Sequence, residues 1–138
     1  MEISYTVLKD EFIRAGEASS SLKKTLKQLG ISSEIIRKIA IAMYEAEINM
    51  VIHAYGGRID VSILPEKIYI ALRDTGPGIP DVEMAMKEGF STATDEIRNM
   101  GFGAGMGLAN MKKNSDFMRV TSEVGVGTTV ELEINLTP

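Results

Sequence analysis

The chain divides by the rhythm of its apolar positions. "EISYTVLK" alternates weakly and predicts a first strand. The stretch that follows, to Leu29, carries Phe12, Ala15, Leu22, Leu26 and Leu29 near helical spacing, and Gly30 is expected to end that helix as its C-cap residue. Ser32 or Ser33 can cap a second helix, which runs from about Glu34 through His53 with no internal proline or glycine. "RIDVSIL" and "KIYIALRD" are β-branched, alternating runs joined by "PE", so a hairpin or neighbouring strands are expected. After Asp74 the chain reads "DTGPGIPD", whose glycines and prolines cannot continue a strand. A short helix, "VEMAMKEG", comes next, then a stretch from Phe90 to Met100 with little periodicity. "GFGAGMGLANMKKNSD" begins as alternating glycines and ends as a helix, and "FMRVTSEV" and "TTVELEINL" flank a "GVG" turn as the last two strands. This order predicts an α+β two-layer sandwich: a mixed, mainly antiparallel sheet with helices on one face.

The second helix carries the first chemical signal. At about 100° per residue, Ile36, Ile39, Met43, Ala46 and Met50 fall on one arc, which is expected to pack on the sheet. Glu45 and Asn49, four apart, share the opposite face with Ile41, Ile48 and Ile52. That face is apolar too, with two polar groups set into it. A carboxylate in such surroundings loses hydration and becomes a better base than a solvated one. An amide oxygen one turn away is a neutral, hard ligand suited to a Mg²⁺ ion that also holds phosphates. A hydrogen-bonded surface pair is the competing reading. His53, the only histidine, lies nearer the packing edge, where a core or supporting role is favoured over catalysis.

Composition narrows the classes. With 44% hydrophobic and 25% charged residues in 138, the chain is expected to form one globular domain rather than a disordered segment. The absence of cysteine removes disulfides, thiolate catalysis and cysteine-ligated metals. No apolar run approaches the ~18 residues of a membrane span and no charged-then-apolar leader is evident, so a cytoplasmic protein without a membrane role is expected. A net charge of −4 disfavours direct nucleic-acid binding, and the cluster of Lys23, Lys24 and Lys27 reads as the solvated face of a helix.

Two glycine motifs complete the picture. "DTGPGI" ends a strand with the acceptor-only side chain of Asp74 and then places Gly76 and Gly78 where no Cβ obstructs a flat ligand. Asp74 could accept a hydrogen bond from an exocyclic amino group; a tight surface turn explains the motif equally well. "GFGAGMGL" sets glycines at every second position directly before a helix, allowing successive backbone N–H groups to turn toward an anion. It is neither a P-loop nor a dinucleotide fingerprint. A flexible hinge is the other reading, and the two are compatible.

In this order and at these separations the motifs resemble the GHKL ATPase superfamily, whose nucleotide site is the Bergerat fold. "EAEINMVIHAY" looks like its N-box, "DTGPGI" and "GFGAGMGLANMKK" like its two glycine boxes, and "GVGTTVEL" like its closing glycine-threonine element. The resemblance covers essentially residues 35 to 135 and is closest to the small anti-sigma-factor serine kinases and switch kinases of bacterial partner switching. It implies a histidine-kinase-like ATPase domain spanning 1–138, with a mobile ATP lid at about 90–104. Glu45 would be the general base, and Asn49 the Mg²⁺ ligand. Asp74 would bind the adenine amino group, with Gly76, Gly78 and Ile79 beside the base. Gly103, Gly105, Met106, Gly107 and Leu108 would hold the phosphates, and Thr128 would support the adenine end. Two segments depart from the pattern: "STATDEIRNM" is longer and more charged than the switch-kinase spacer, and "ANMKK" is closer to the sensor histidine-kinase style.

The activity so implied is ATP- and Mg²⁺-dependent phosphorylation of serine or threonine on an anti-anti-sigma (STAS-type) partner, with a sigma factor as a further partner and a symmetric homodimer as the usual assembly. Phosphoryl transfer needs mostly positioning and charge neutralisation, which one base, one metal ion and a glycine cradle can supply. The alternative is a non-catalytic anti-sigma or scaffold module that uses nucleotide to order its lid. A histidine kinase would need a phosphoaccepting histidine on a dimerisation helix, and His53 sits inside the nucleotide helix instead.

Overall fold

The computed structural model describes residues 1–8, 16–53, 56–76, 78 and 107–136, with the side chains of Ile52 and His53 excepted. The short helix expected after Asp81, the lid at 90–104, and the site candidates Ile79, Gly103, Gly105 and Met106 lie outside these residues, as does the role assigned to the His53 side chain. The described elements follow the order β1 (Glu2–Leu8), α1 (Glu17–Gln28), α2 (Ser33–His53), β2 (Gly56–Ile63), β3 (Lys67–Asp74), α3 (Gly107–Lys113), β4 (Phe117–Glu123) and β5 (Gly127–Asn135).

The five strands form one sheet in the order β1-β2-β3-β5-β4, and every pairing is antiparallel. The expected "mixed, mainly antiparallel" sheet is therefore antiparallel throughout its described strands. The reason is local: β2 with β3, and β4 with β5, are hairpins, and β5 closes against β3 from the far side. Alternation puts Ile59, Val61, Ile68, Ile70, Leu72, Val130, Leu132 and Ile134 on the face toward the helices, all buried. The opposite face carries crossed charges, with Arg58 and Arg73 both on Asp60 and Arg119 on Glu131.

The apolar arc of α2 packs as its spacing requires: Ile36, Ile39, Met43, Ala46 and Met50 are all buried. Ser32 caps the helix, its Oγ accepting from the Ile35 N–H at 3.4 Å and its carbonyl from the Ile36 N–H at 3.0 Å. α1 ends in the paired bonds of a left-handed C-cap, Gly30 N–H to Lys27 O and Ile31 N–H to Leu26 O, each 3.1 Å. Leu29 does not join the apolar stripe of Leu22 and Leu26. As the C-cap residue it turns out of the helix and is 46% exposed. Lys23, Lys24 and Lys27 lie on the exposed face of α1.

Candidate active site

The site candidates fall into two groups, one on α2 and one at the end of the sheet. Glu45 and Asn49 are both half-buried, on the α2 face that meets α3, beside buried Ile48 and half-buried Ile41. α3 is fixed by Leu108, Ala109 and Met111, all buried. From it Asn110 Nδ2 donates to Glu45 Oε1 at 3.1 Å. That contact joins residues 65 apart in sequence, and no motif pointed to it.

The second group forms around Asp74, the last residue of β3. The Thr128 N–H donates to Asp74 Oδ1 at 3.0 Å, bringing together two residues that the glycine box and the closing element had placed separately. Thr128 is itself buried, with its hydroxyl 2.8 Å from that of Ser122. The Gly76 N–H donates to Val126 O at 3.1 Å, so the first glycine box lies against the β4–β5 turn. Two glycines make this approach feasible. At Gly127, φ is 153° and a Cβ would collide with the Asp74 carbonyl; at Gly78, φ is 77° and a Cβ would strike the Glu123 backbone. On the side where a Cβ would stand, Gly78 packs against the Glu123–Val124 backbone, which is a reason for glycine there independent of any ligand.

The C-terminal end of α2 leads toward the strand end that carries Asp74. β2 starts at Gly56, three residues after α2 ends, and Gly57 pairs with Asp74 in the β2–β3 register, while the Thr75 N–H donates to Gly56 O. No hydrogen bond among the described residues joins the Glu45–Asn49 face directly to the Asp74–Thr128 cluster.

Burial pushes the Asp74 carboxyl above its ordinary value, and the Thr128 N–H opposes that shift. The folded chain thus binds this proton more tightly than the unfolded chain. Asp74 adds stability only below the ordinary carboxylate range, and that contribution is lost as pH rises through the raised value. Asp74→Asn keeps the acceptor for Thr128 and removes the buried charge. The ligand-free variant is expected to melt higher than wild type at pH 7, with the gap closing as pH falls to about 4. A lower melting temperature at pH 7 would contradict this account of the carboxylate.

A family model described as histidine kinase-, DNA gyrase B-, and HSP90-like ATPase matches residues 34–138. The chain belongs to this ATPase family. Its relatives include an anti-sigma F factor of Caldanaerobacter subterraneus subsp. tengcongensis, 40% identical over 110 residues that cover 76% of this chain and 73% of that protein. The serine/threonine-protein kinase RsbT of Bacillus subtilis is 29% identical over 113 residues, 79% of each. Among solved structures, the RsbU and RsbW domains of a Mycobacterium tuberculosis protein superpose with a TM-score of 0.67 at 17% identity, covering 97% of this chain and 32% of that one. That likeness is one of fold, and it is the α+β fold of this ATPase family.

Sequence reasoning missed two residues of this region. One is Asn110, whose signal lay only in the departure of "ANMKK" from the family run. The other is Glu47, 2% exposed, whose carboxylate accepts from the N–H groups of Gly16, Ala18 and Ser19 at 3.0, 3.2 and 2.6 Å. Its signal was available: eleven residues at about 100° each bring it back to within about 20° of Ile36, inside the buried arc.

Proposed function

We propose that this chain is an ATP-dependent serine/threonine protein kinase and anti-sigma factor of the partner-switching type, acting on a STAS-type anti-anti-sigma protein. Its family and the names of its relatives support the activity class. The observation that carries the assignment of roles is the placement of Glu45 and Asn49 on the α2 face that meets α3, the helix directly following the alternating glycines. In this reading Glu45 takes the proton of the attacking hydroxyl. Asp74, held by Thr128 at the strand end, offers its second carboxylate oxygen to the adenine amino group. Ile79, Gly76 and Gly78 belong to the adenine side, and Gly103, Gly105, Met106, Gly107 and Leu108 to the phosphate side, with residues 90–104 as the lid over the nucleotide. We read 1–138 as one ATPase domain.

The donor set suits Mg²⁺. Asn49 is half-buried on α2 one turn from Glu45, and its amide offers a hard, neutral oxygen of the kind Mg²⁺ takes while keeping waters and the substrate's phosphates in its shell. Asn49 would be the protein ligand, and the ion would neutralise charge on the phosphates. Asn49→Ala is expected to remove the Mg²⁺-dependent part of ATP binding while the melting temperature stays near that of wild type. Calorimetry showing unchanged Mg²⁺ dependence would sink the assignment.

Among the described residues no helix is long and apolar enough to cross a membrane. A cytoplasmic location and a symmetric homodimer complete the reading. The test of the function is to incubate the chain with Mg-ATP and a STAS-type protein from the same organism and to locate new phosphate by mass spectrometry. Phosphoserine or phosphothreonine on the partner is the expected result. ATP binding with an unmodified partner that still associates would favour a nucleotide-gated binding module instead.

A further inference from the structure

A glutamate on a helix has three side-chain torsions, and a base acts efficiently only when its oxygen is held where the proton will leave. Among the described residues, Asn110 is the one whose side chain holds Glu45, with 3.1 Å between Nδ2 and Oε1. An ionised carboxylate offers acceptors only, so the amide must present its NH₂ here; the chemistry of the pair fixes its direction. An amide donor also orients a carboxylate without neutralising it, whereas lysine or arginine at this position would form an ion pair.

The helix that carries Asn110 is in turn well anchored. Leu108 and Met111 on either side are buried, and the Asn110 carbonyl accepts from Asn114 Nδ2 at 2.8 Å and from the Asn114 N–H at 3.2 Å. α3 begins at Gly107, the last of the alternating glycines. The bond therefore ties the orientation of Glu45 to the helix that continues the glycine stretch.

Resting on the kinase reading of Glu45, we propose that Asn110 is the positioning residue for the base. By holding Oε1 it leaves Oε2 as the oxygen that receives the proton. In the step so arranged, the partner's hydroxyl oxygen bonds to the γ-phosphorus as its proton passes to Glu45 Oε2. The bond from that phosphorus to the β–γ bridging oxygen breaks, and its electron pair leaves with ADP.

The experiment measures kcat, the KM for ATP and the ATP dissociation constant of the folded chain transferring phosphate to its partner. Wild type is compared with Asn110→Ala, Asn110→Asp and Asn110→Gln, after melting curves confirm the fold. Asn110→Asp preserves size but removes the donor and adds a like charge; Asn110→Gln keeps the donor on a longer arm. Alanine and aspartate are expected to lower kcat about 10- to 100-fold while the KM and dissociation constant for ATP stay within about threefold, with glutamine recovering part of the rate. Should alanine at this position fail to fold, the aspartate and glutamine variants carry the comparison. The inference is overturned if kcat stays within about twofold of wild type in the folded alanine and aspartate variants, or if the loss appears in KM and ATP affinity with kcat unchanged. A wild type that binds ATP without transferring phosphate, or transfer that survives Glu45→Ala, overturns the kinase reading of Glu45 and this inference with it. Asn110 variants that match a fully active, Glu45-dependent wild type overturn this inference alone.

Discussion

Glu47→Ala is expected to destabilise the protein by about 3 kcal/mol and to lower its melting temperature by roughly 10 °C. The N-cap of α1 is Gly16, which has no side chain to satisfy the free amides of the first turn. Glu47 performs that task from another helix. Its two oxygens accept from the N-cap, N2 and N3 amides, and its charge faces the positive end of the α1 dipole. Alanine would leave three donors unpaired, two of them buried. Glutamine retains one acceptor but turns an NH₂ group toward those donors, so it is expected to recover only a minor part of the loss. A melting temperature within about 2 °C of wild type for the alanine variant would show that the cap contributes little.

Glu45→Ala is expected to lower phosphate transfer by about 100- to 10,000-fold, the usual range for removing a general base, while ATP still binds. The side chain is half-buried on α2 and its recorded partner is the neutral amide of Asn110, so its removal leaves no buried charge uncompensated. The fold is therefore expected to survive, and the effect should appear in kcat rather than in melting. Glu45→Gln keeps the shape and still cannot take a proton. Equal loss in both variants would identify proton transfer as the function of the carboxylate, and full activity in the glutamine variant would exclude it.

Most of the architecture was legible because its signals are local. The apolar arc of α2, the glycine that ends α1 and the alternation in β2 and β3 each follow from spacing within one element. The two glutamates on α2 show where such reading stops. Glu45 stood out because a recognisable pattern surrounds it. Glu47 sits on the buried arc, and only the approach of α1, 28 to 31 residues earlier, explains how a carboxylate is satisfied there. Asn110 was hidden for the same reason, since its meaning lies in a neighbour 65 residues away. At Gly78 the motif pointed to room for a ligand, and the structure adds a packing reason for the same glycine, because a Cβ there would strike the Glu123–Val124 backbone. The pairing of Asp74 with Thr128 was implicit in two separate motifs, and the register of β3 against β5 turns them into one cluster.

The most direct test is transfer of label from γ-labelled Mg-ATP into a lysate of the source organism, comparing wild type with Glu45→Ala after both are shown to fold and to bind ATP. A small labelled protein that appears with wild type and is absent with the variant is the result expected here, and it would identify the partner in the same step. ATP binding by both proteins with no band that depends on Glu45 would contradict the kinase reading and leave nucleotide-gated binding as the function.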